Sequence, residues 1–166
     1  MGRPKELSQV ELAAHPRMVR RQAILWSIVL PGAALLGWFM LPASIRVLFT
    51  GLQIGTLVFF VLIMLGIVWV MAMCWVKAGP EGVVLRNGLK RYHVPWDAVA
   101  AVRYWPGDSW AFLEKGHLDQ PVLALQRVDG HYTDEDVEVL RELHARYAPV
   151  RPASDVAVPG VEGGEG

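Results

Sequence analysis

Two long apolar stretches fill the first half of the chain, and a short-period alternation replaces them in the second. No charged residue lies between Gln22 and Ile45, and after Arg46 none lies between Val47 and Val76. Each stretch exceeds the roughly 20 residues that cross a ~30 Å hydrocarbon core as a helix. The run TLVFFVLIMLGIVWVMAMCWV has no polar face, which a buried helix of a soluble protein would carry. The pattern predicts a transmembrane hairpin over 23–77, with spans at about 23–43 and 51–76, behind a basic leader at 1–22. A cleaved signal peptide fits the first stretch poorly, because the run is long and the small-residue site near Ala43 directly precedes the second span.

Arg3, Lys5, Arg17, Arg20 and Arg21 precede the first span, only Arg46 lies between the spans, and Lys77, Arg86, Lys90 and Arg91 follow the second. The positive-inside bias then places both termini in the cytoplasm. Trp26, Trp38, Trp69 and Trp75 sit near span ends, where indole favours the headgroup level. Pro31 with Gly32 is a candidate kink. Ala33 with Gly37 and Gly51 with Gly55 have the small-residue spacing that allows close helix approach, within the hairpin or in a homodimer. The spans hold no Asp, Glu, His, Lys or Arg, so the usual mark of a transport path is missing from them.

At Ala78-Gly79-Pro80-Glu81-Gly82 the composition changes, and a domain over 78–148 is predicted. Val83–Arg86 and Leu89–Val94 around Asn87-Gly88 read as a β-hairpin with a type I′ turn. Between Trp96 and Trp105 the residues Trp96, Ala98, Ala100, Val102 and Tyr104 alternate onto one face and predict a third strand. Trp110–Glu114 and Val122–Arg127 supply two more, separated by turns at 106–108 and 116–120. After Asp129-Gly130, Thr133 with Asp136 suggests a capped helix to about Tyr147, with Val137, Leu140, Leu143, His144 and Tyr147 on one stripe. Residues 149–166 lack core-forming side chains and read as a disordered tail.

The chain has 166 residues, 53% of them apolar and 19% charged, with no net charge. That balance argues against a nucleic-acid partner. Over 78–150 there are eight basic and eleven acidic residues, a net of −3. The histidines are scattered without metal-ligand spacing, and no nucleophile elbow, phosphate loop or dinucleotide fingerprint is present, so neither a metal, a cofactor nor an enzyme is expected. Cys74 reads as a small apolar filler. Trp105 and Trp110 flank a turn and are candidate contacts for a partner or the bilayer interface.

The segment GVVLRNGLKRYHVPWDAVAAVRY, followed by SWAFL, a late Asp129-Gly130 and a closing helix, resembles the short bacterial pleckstrin-homology-like (PH) family that includes proteins of the low-molecular-weight protein antigen 6 type. The basic leader and two spans are similar as well. The resemblance implies a bent antiparallel sheet or partial barrel capped by a C-terminal helix, and no enzyme. A full PH domain has seven strands, whereas five are read here. It also implies that Arg86, Lys90 and Arg91, around the first hairpin, are candidate lipid or partner contacts. The chain as a whole reads as an α+β membrane protein, a non-enzymatic, cytoplasm-facing interaction or scaffold module of the bacterial plasma membrane. Its partners are the bilayer and a protein of unknown identity. The alternatives are an inner-leaflet lipid sensor or an accessory subunit of a larger membrane enzyme or transporter.

Overall fold

A computed structural model describes residues 7–116 and 118–149. Along the chain run β1 (Leu12–Ala14), α1 (Arg17–Met40), a short α2 (Ala43–Arg46), α3 (Gly51–Ala72), β2 (Trp75–Gly79), β3 (Gly82–Asn87), β4 (Lys90–Val94), β5 (Ala101–Arg103), β6 (Trp110–Glu114), β7 (Gln120–Gln126) and α4 (His131–Tyr147). The predicted tail falls on residues outside those described, apart from Pro149.

The two apolar helices pack side by side. At one end Trp69 Nε1–H donates to Ser27 Oγ at 2.9 Å, and at the other Trp38 meets Phe49 edge-on at 5.7 Å. Thr50 and Gln53 form a reciprocal cap on α3. The helix α1 continues through Pro31. A Cβ built on Gly32, Gly37, Gly51 or Gly55 would meet nothing within 4 Å, so these glycines do not serve the seam between α1 and α3. Both helices are long and apolar enough to cross a membrane, and none of the most apolar window of α3 is buried within the chain.

The leader is more than a basic arm. Its residues Leu12–Ala14 form β1, which pairs antiparallel with β2 in the register Leu12↔Ala78, Ala13↔Lys77 and Ala14↔Val76. The second apolar helix ends at Ala72, and Trp75–Gly79, read partly as span, is a strand. Among the described residues the sheets therefore contain seven strands, not five, ordered β1-β2-β3-β4 and β5-β6-β7. The hairpin of α1 and α3 emerges from the connection between two paired neighbours, β1 and β2. All strand pairs are antiparallel, and the sheets do not join into a closed barrel.

Three further expectations are corrected. Asn87 is the last residue of β3, and the turn is Gly88-Leu89. Only Gly88 has positive φ, 61°, the arrangement of a II′ turn rather than I′. Asn87 instead uses its amide to hold β7, donating to the Pro121 carbonyl at 2.6 Å and accepting from Leu123 N–H at 3.1 Å. The predicted strand from Trp96 begins as a 3₁₀ turn, Trp96–Ala98, and only Ala101–Arg103 is strand. The buried set is accordingly Trp96, Val99 and Val102, a period of three set by the 3₁₀ turn instead of two. Trp96 Nε1–H donates to the Gly79 carbonyl at 2.8 Å, and the ring meets His144 of α4 edge-on.

The core lies between the sheets and α4, with Val76, Leu85, Leu113, Val122, Val137 and Leu140 fully enclosed. The stripe Val137, Leu140 and Leu143 is buried as predicted. The helix starts at His131 with Gly130 at its N-cap, so Thr133 is not the cap. It is buried, and its hydroxyl donates to the Gln126 carbonyl at 2.6 Å. Thr133→Val, nearly isosteric, is expected to cost about 1 kcal/mol of domain stability in thermal unfolding by leaving that carbonyl unpaired. Side chains of α4 also bond the backbone in and just before β5: Arg141 Nε–H donates to Val102 O, and His144 Nε2 bonds Val99 O.

Candidate functional site

The sequence directs attention to the end of the domain where the helices meet the sheets. Because β1 ends at Ala14 and β2 begins at Trp75, the helix ends adjoin this end of the four-stranded sheet, and the β3–β4 turn is there too. A Cβ on Gly88 would touch Val70 of α3 at 3.2 Å. Cys74, buried at this junction, accepts the Gly88 N–H at Sγ, 3.2 Å away.

Arg86 is half-buried here. Its Nε–H donates to the Gly88 carbonyl at 2.7 Å, and Nη2 reaches Met73 Sδ at 3.7 Å. Arg91 is exposed and lies 5.7 Å from the centre of the Trp75 ring, with Lys77 Nζ 5.4 Å from the same centre. Lys90 is exposed beside Leu89, itself 75% exposed. Among the described residues none of Arg20, Lys77, Arg86, Lys90 and Arg91 forms a salt bridge, whereas Arg103, Arg141 and Arg146 all do. Arg103 alone engages Asp108, Glu114 and Asp119. The candidate trio Arg86, Lys90 and Arg91 is thus gathered on one hairpin, and Arg20 and Lys77 join it from α1 and β2.

Trp105 and Trp110 part company. Trp105 is 63% exposed on a loop fixed from within: Asp108 Oδ2 accepts the Trp105 N–H at 2.8 Å, and Arg127 donates to the carbonyls of Trp105 and Asp108. Arg127 also stacks on Tyr104, whose pKa is raised, chiefly by burial. Trp110 is half-buried beside Phe112, and together with Gly107 and Asp108 it lines a cleft against Met71 of α3. Both loops, 87–90 and 105–110, therefore adjoin the last turn of the second apolar helix.

Contacts that sequence reasoning did not assign complete the junction. Asp129 accepts the Arg17 N–H at 2.9 Å and the Met18 N–H at 2.6 Å. It is a remote N-cap on α1, which has neither a local side-chain cap nor a first-turn acid. Arg17 stacks on Tyr132 at 4.1 Å. His15 has its pKa lowered from 6.5, by burial first and then by Arg20 and Arg17. Asp136 has its pKa raised by burial, partly opposed by Arg17. No group of three metal-ligating side chains occurs among the described residues.

An antiparallel seven-stranded β module in two sheets, closed by a C-terminal helix, defines the class. Residues 73–146 match the family described as bacterial PH domain. The match begins after the apolar hairpin and leaves out β1, which the chain supplies from the hairpin's other side. Uncharacterized proteins of Mycobacterium bovis and Mycobacterium tuberculosis are 32% identical over 89 residues, 53% of this chain and 58% of each relative. The aligned part thus spans little more than half the length of those curated relatives. No solved structure matches.

Proposed function

We propose that the chain is a non-enzymatic, membrane-anchored PH module that faces the cytoplasm and holds a protein partner at the bacterial plasma membrane. The hairpin crosses twice and leaves both termini inside. The distribution of cations supports this orientation: Arg17, Arg20, Arg21, Lys77, Arg86, Lys90 and Arg91 lie at the domain end of the hairpin, and Arg46 lies at the other.

The observation that carries the reading is the mounting of the domain. The β1–β2 pair on either side of the hairpin, together with the Asp129 cap, fixes the domain to the anchor. The outer face of α4, with Asp134, Glu135, Glu138 and Glu142 exposed, stays uncovered by the sheets. That acidic face suits a partner with a basic surface. A photoreactive side chain in place of Glu142, in the full-length protein in native membranes, is expected to capture a protein other than this chain, and Glu135→Lys with Glu138→Lys should abolish the adduct. Recovery of self-adducts and lipid alone would overturn the proposal.

A further inference from the structure

The uncovered side of α4 is hollowed at one place. Tyr104, just beyond β5, and the first three turns of the helix enclose a cleft of about 560 Å³. Val137 and Val139 line it beside Tyr104, and the exposed Asp134, Glu135 and Glu138 give it its charge. Arg141 pairs with Glu138 at 2.7 Å, whereas among the described residues Asp134 and Glu135 form no ion pair. Carboxylates without a counter-charge beside an apolar wall suit Lys or Arg, whose aliphatic stems bury while their heads stay polar.

The position of the cleft narrows the partner. The helix α4 starts at the foot of α1, where Asp129 caps α1 and Arg17 stacks on Tyr132. Its other end reaches Glu11, on the side of β1 remote from α1. Tyr104 leads into the 105–110 loop, which adjoins Met71 in the last turn of α3. The cleft therefore lies at the anchor end of the domain, and in the orientation proposed above that is the level just inside the inner leaflet. An anionic lipid surface is disfavoured beside these acids. The cytoplasmic flanks of transmembrane segments, by contrast, carry Lys and Arg at this level through the positive-inside bias. Trp105, 63% exposed next to Tyr104, offers an aromatic face to such a cation. The chain's own cations at this end are engaged elsewhere: Arg17 on Tyr132, Arg86 on the Gly88 carbonyl, and Lys77 and Arg91 on the Trp75 ring.

We propose that this cleft docks the basic juxtamembrane segment of a second integral membrane protein, with Asp134 and Glu135 receiving its cations against Tyr104 and Val139. The inference rests on the partner-holding reading above and deepens it by naming the class of partner. Two anchored proteins would then meet side by side in the plane of the membrane, with their charged flanks at one height.

Full-length protein with a photoreactive side chain in place of Val139, in phosphatidylcholine nanodiscs, tests this with a synthetic probe. The probe is a leucine-rich transmembrane peptide followed directly by a short run of lysines. A peptide with serines in place of the lysines should give at least about tenfold less adduct. Moving the lysines away from the span on a flexible Gly/Ser spacer of about 20 residues should lower the adduct by about fivefold. Asp134→Asn with Glu135→Gln should lower it by about five- to tenfold, the sum of two surface charge contacts. Asp97→Asn with Asp119→Asn, which removes the same charge from exposed positions outside the cleft, should change it by less than about twofold. Glu135→Gln alone, a nearly isosteric change at an exposed position, guards against misfolding and should still lower the adduct.

Equal adducts with the lysine and serine peptides, or equal losses in the two double variants, would overturn the proposal. Equal capture of the spaced peptide would assign the cleft to a soluble basic partner, and adducts between two copies of this chain without peptide would assign it to self-association; either overturns the proposal. Failure of the Glu142 probe to capture any other protein in native membranes would instead refute the partner-holding reading, so the two failures are distinguishable.

Discussion

Replacing Leu12 by alanine is expected to destabilise the β domain by about 2–5 kcal/mol, although the residue lies 66 positions before its cross-strand partner Ala78. Leu12 is 6% exposed, pairs with Ala78 across β1 and β2, and packs into the same core as Val76, Leu85 and Val137. Truncation removes its apolar contacts and leaves a cavity that a three-residue edge strand can fill only by shifting. In thermal unfolding of the detergent-solubilised protein, followed by tryptophan fluorescence, the midpoint should fall by on the order of 10 °C. Val10→Ala, at a side chain 48% exposed, is the matched control and should stay within about 0.5 kcal/mol of the parent. Equal behaviour of the two variants would show that β1 adds nothing to the core.

Asp129→Ala should loosen the joint between domain and hairpin. The carboxylate accepts two N–H groups at the start of α1 and places a negative charge at the positive end of the helix. Its loss is expected to cost about 1–2 kcal/mol, roughly a five- to thirtyfold increase in the population of the opened junction. Cys74 reports this directly: it is the chain's only cysteine, is 1% exposed, and lines a cavity at the junction with His15 and Arg20. Maleimide labelling of Cys74 should accelerate by that factor in Asp129→Ala and by less in Asp129→Asn, which keeps an acceptor but loses the charge. Identical rates in all three proteins would remove Asp129 from the joint.

The parts of this fold that were legible in the sequence are those whose signals are local. Long runs without charge mark the apolar helices, Gly88 marks the β3–β4 turn, and the Val137, Leu140, Leu143 stripe marks α4. Leu12–Ala14 could not be recognised, because a three-residue strand has no measurable period and its partner lies beyond two whole helices. The strand β2 was absorbed into the preceding apolar run. Its alternation, with Val76 and Ala78 buried and Lys77 exposed, was the signal that separates it. Trp96 misled because an alternating pattern is also compatible with a 3₁₀ turn leading into a strand.

The site divides in the same way. Arg86, Lys90 and Arg91 were visible because they surround a recognisable turn, whereas Arg20 and Lys77 read equally well as charges that set topology. Nothing local distinguishes Asp129 from any other turn aspartate, since the N–H groups it caps lie 111 and 112 residues away.

The central claim is a hairpin that crosses the bilayer between β1 and β2 and leaves the domain on the cytoplasmic side. Three exposed serines test it with single-atom changes: Ser8 before β1, Ser44 between the apolar helices and Ser109 in the β5–β6 loop. In a Cys74→Ala background, Ser44→Cys should react with a membrane-impermeant maleimide in intact cells. Ser8→Cys and Ser109→Cys should react only after the membrane is opened. Labelling of Ser8→Cys or Ser109→Cys from outside, or protection of Ser44→Cys until lysis, would contradict the account.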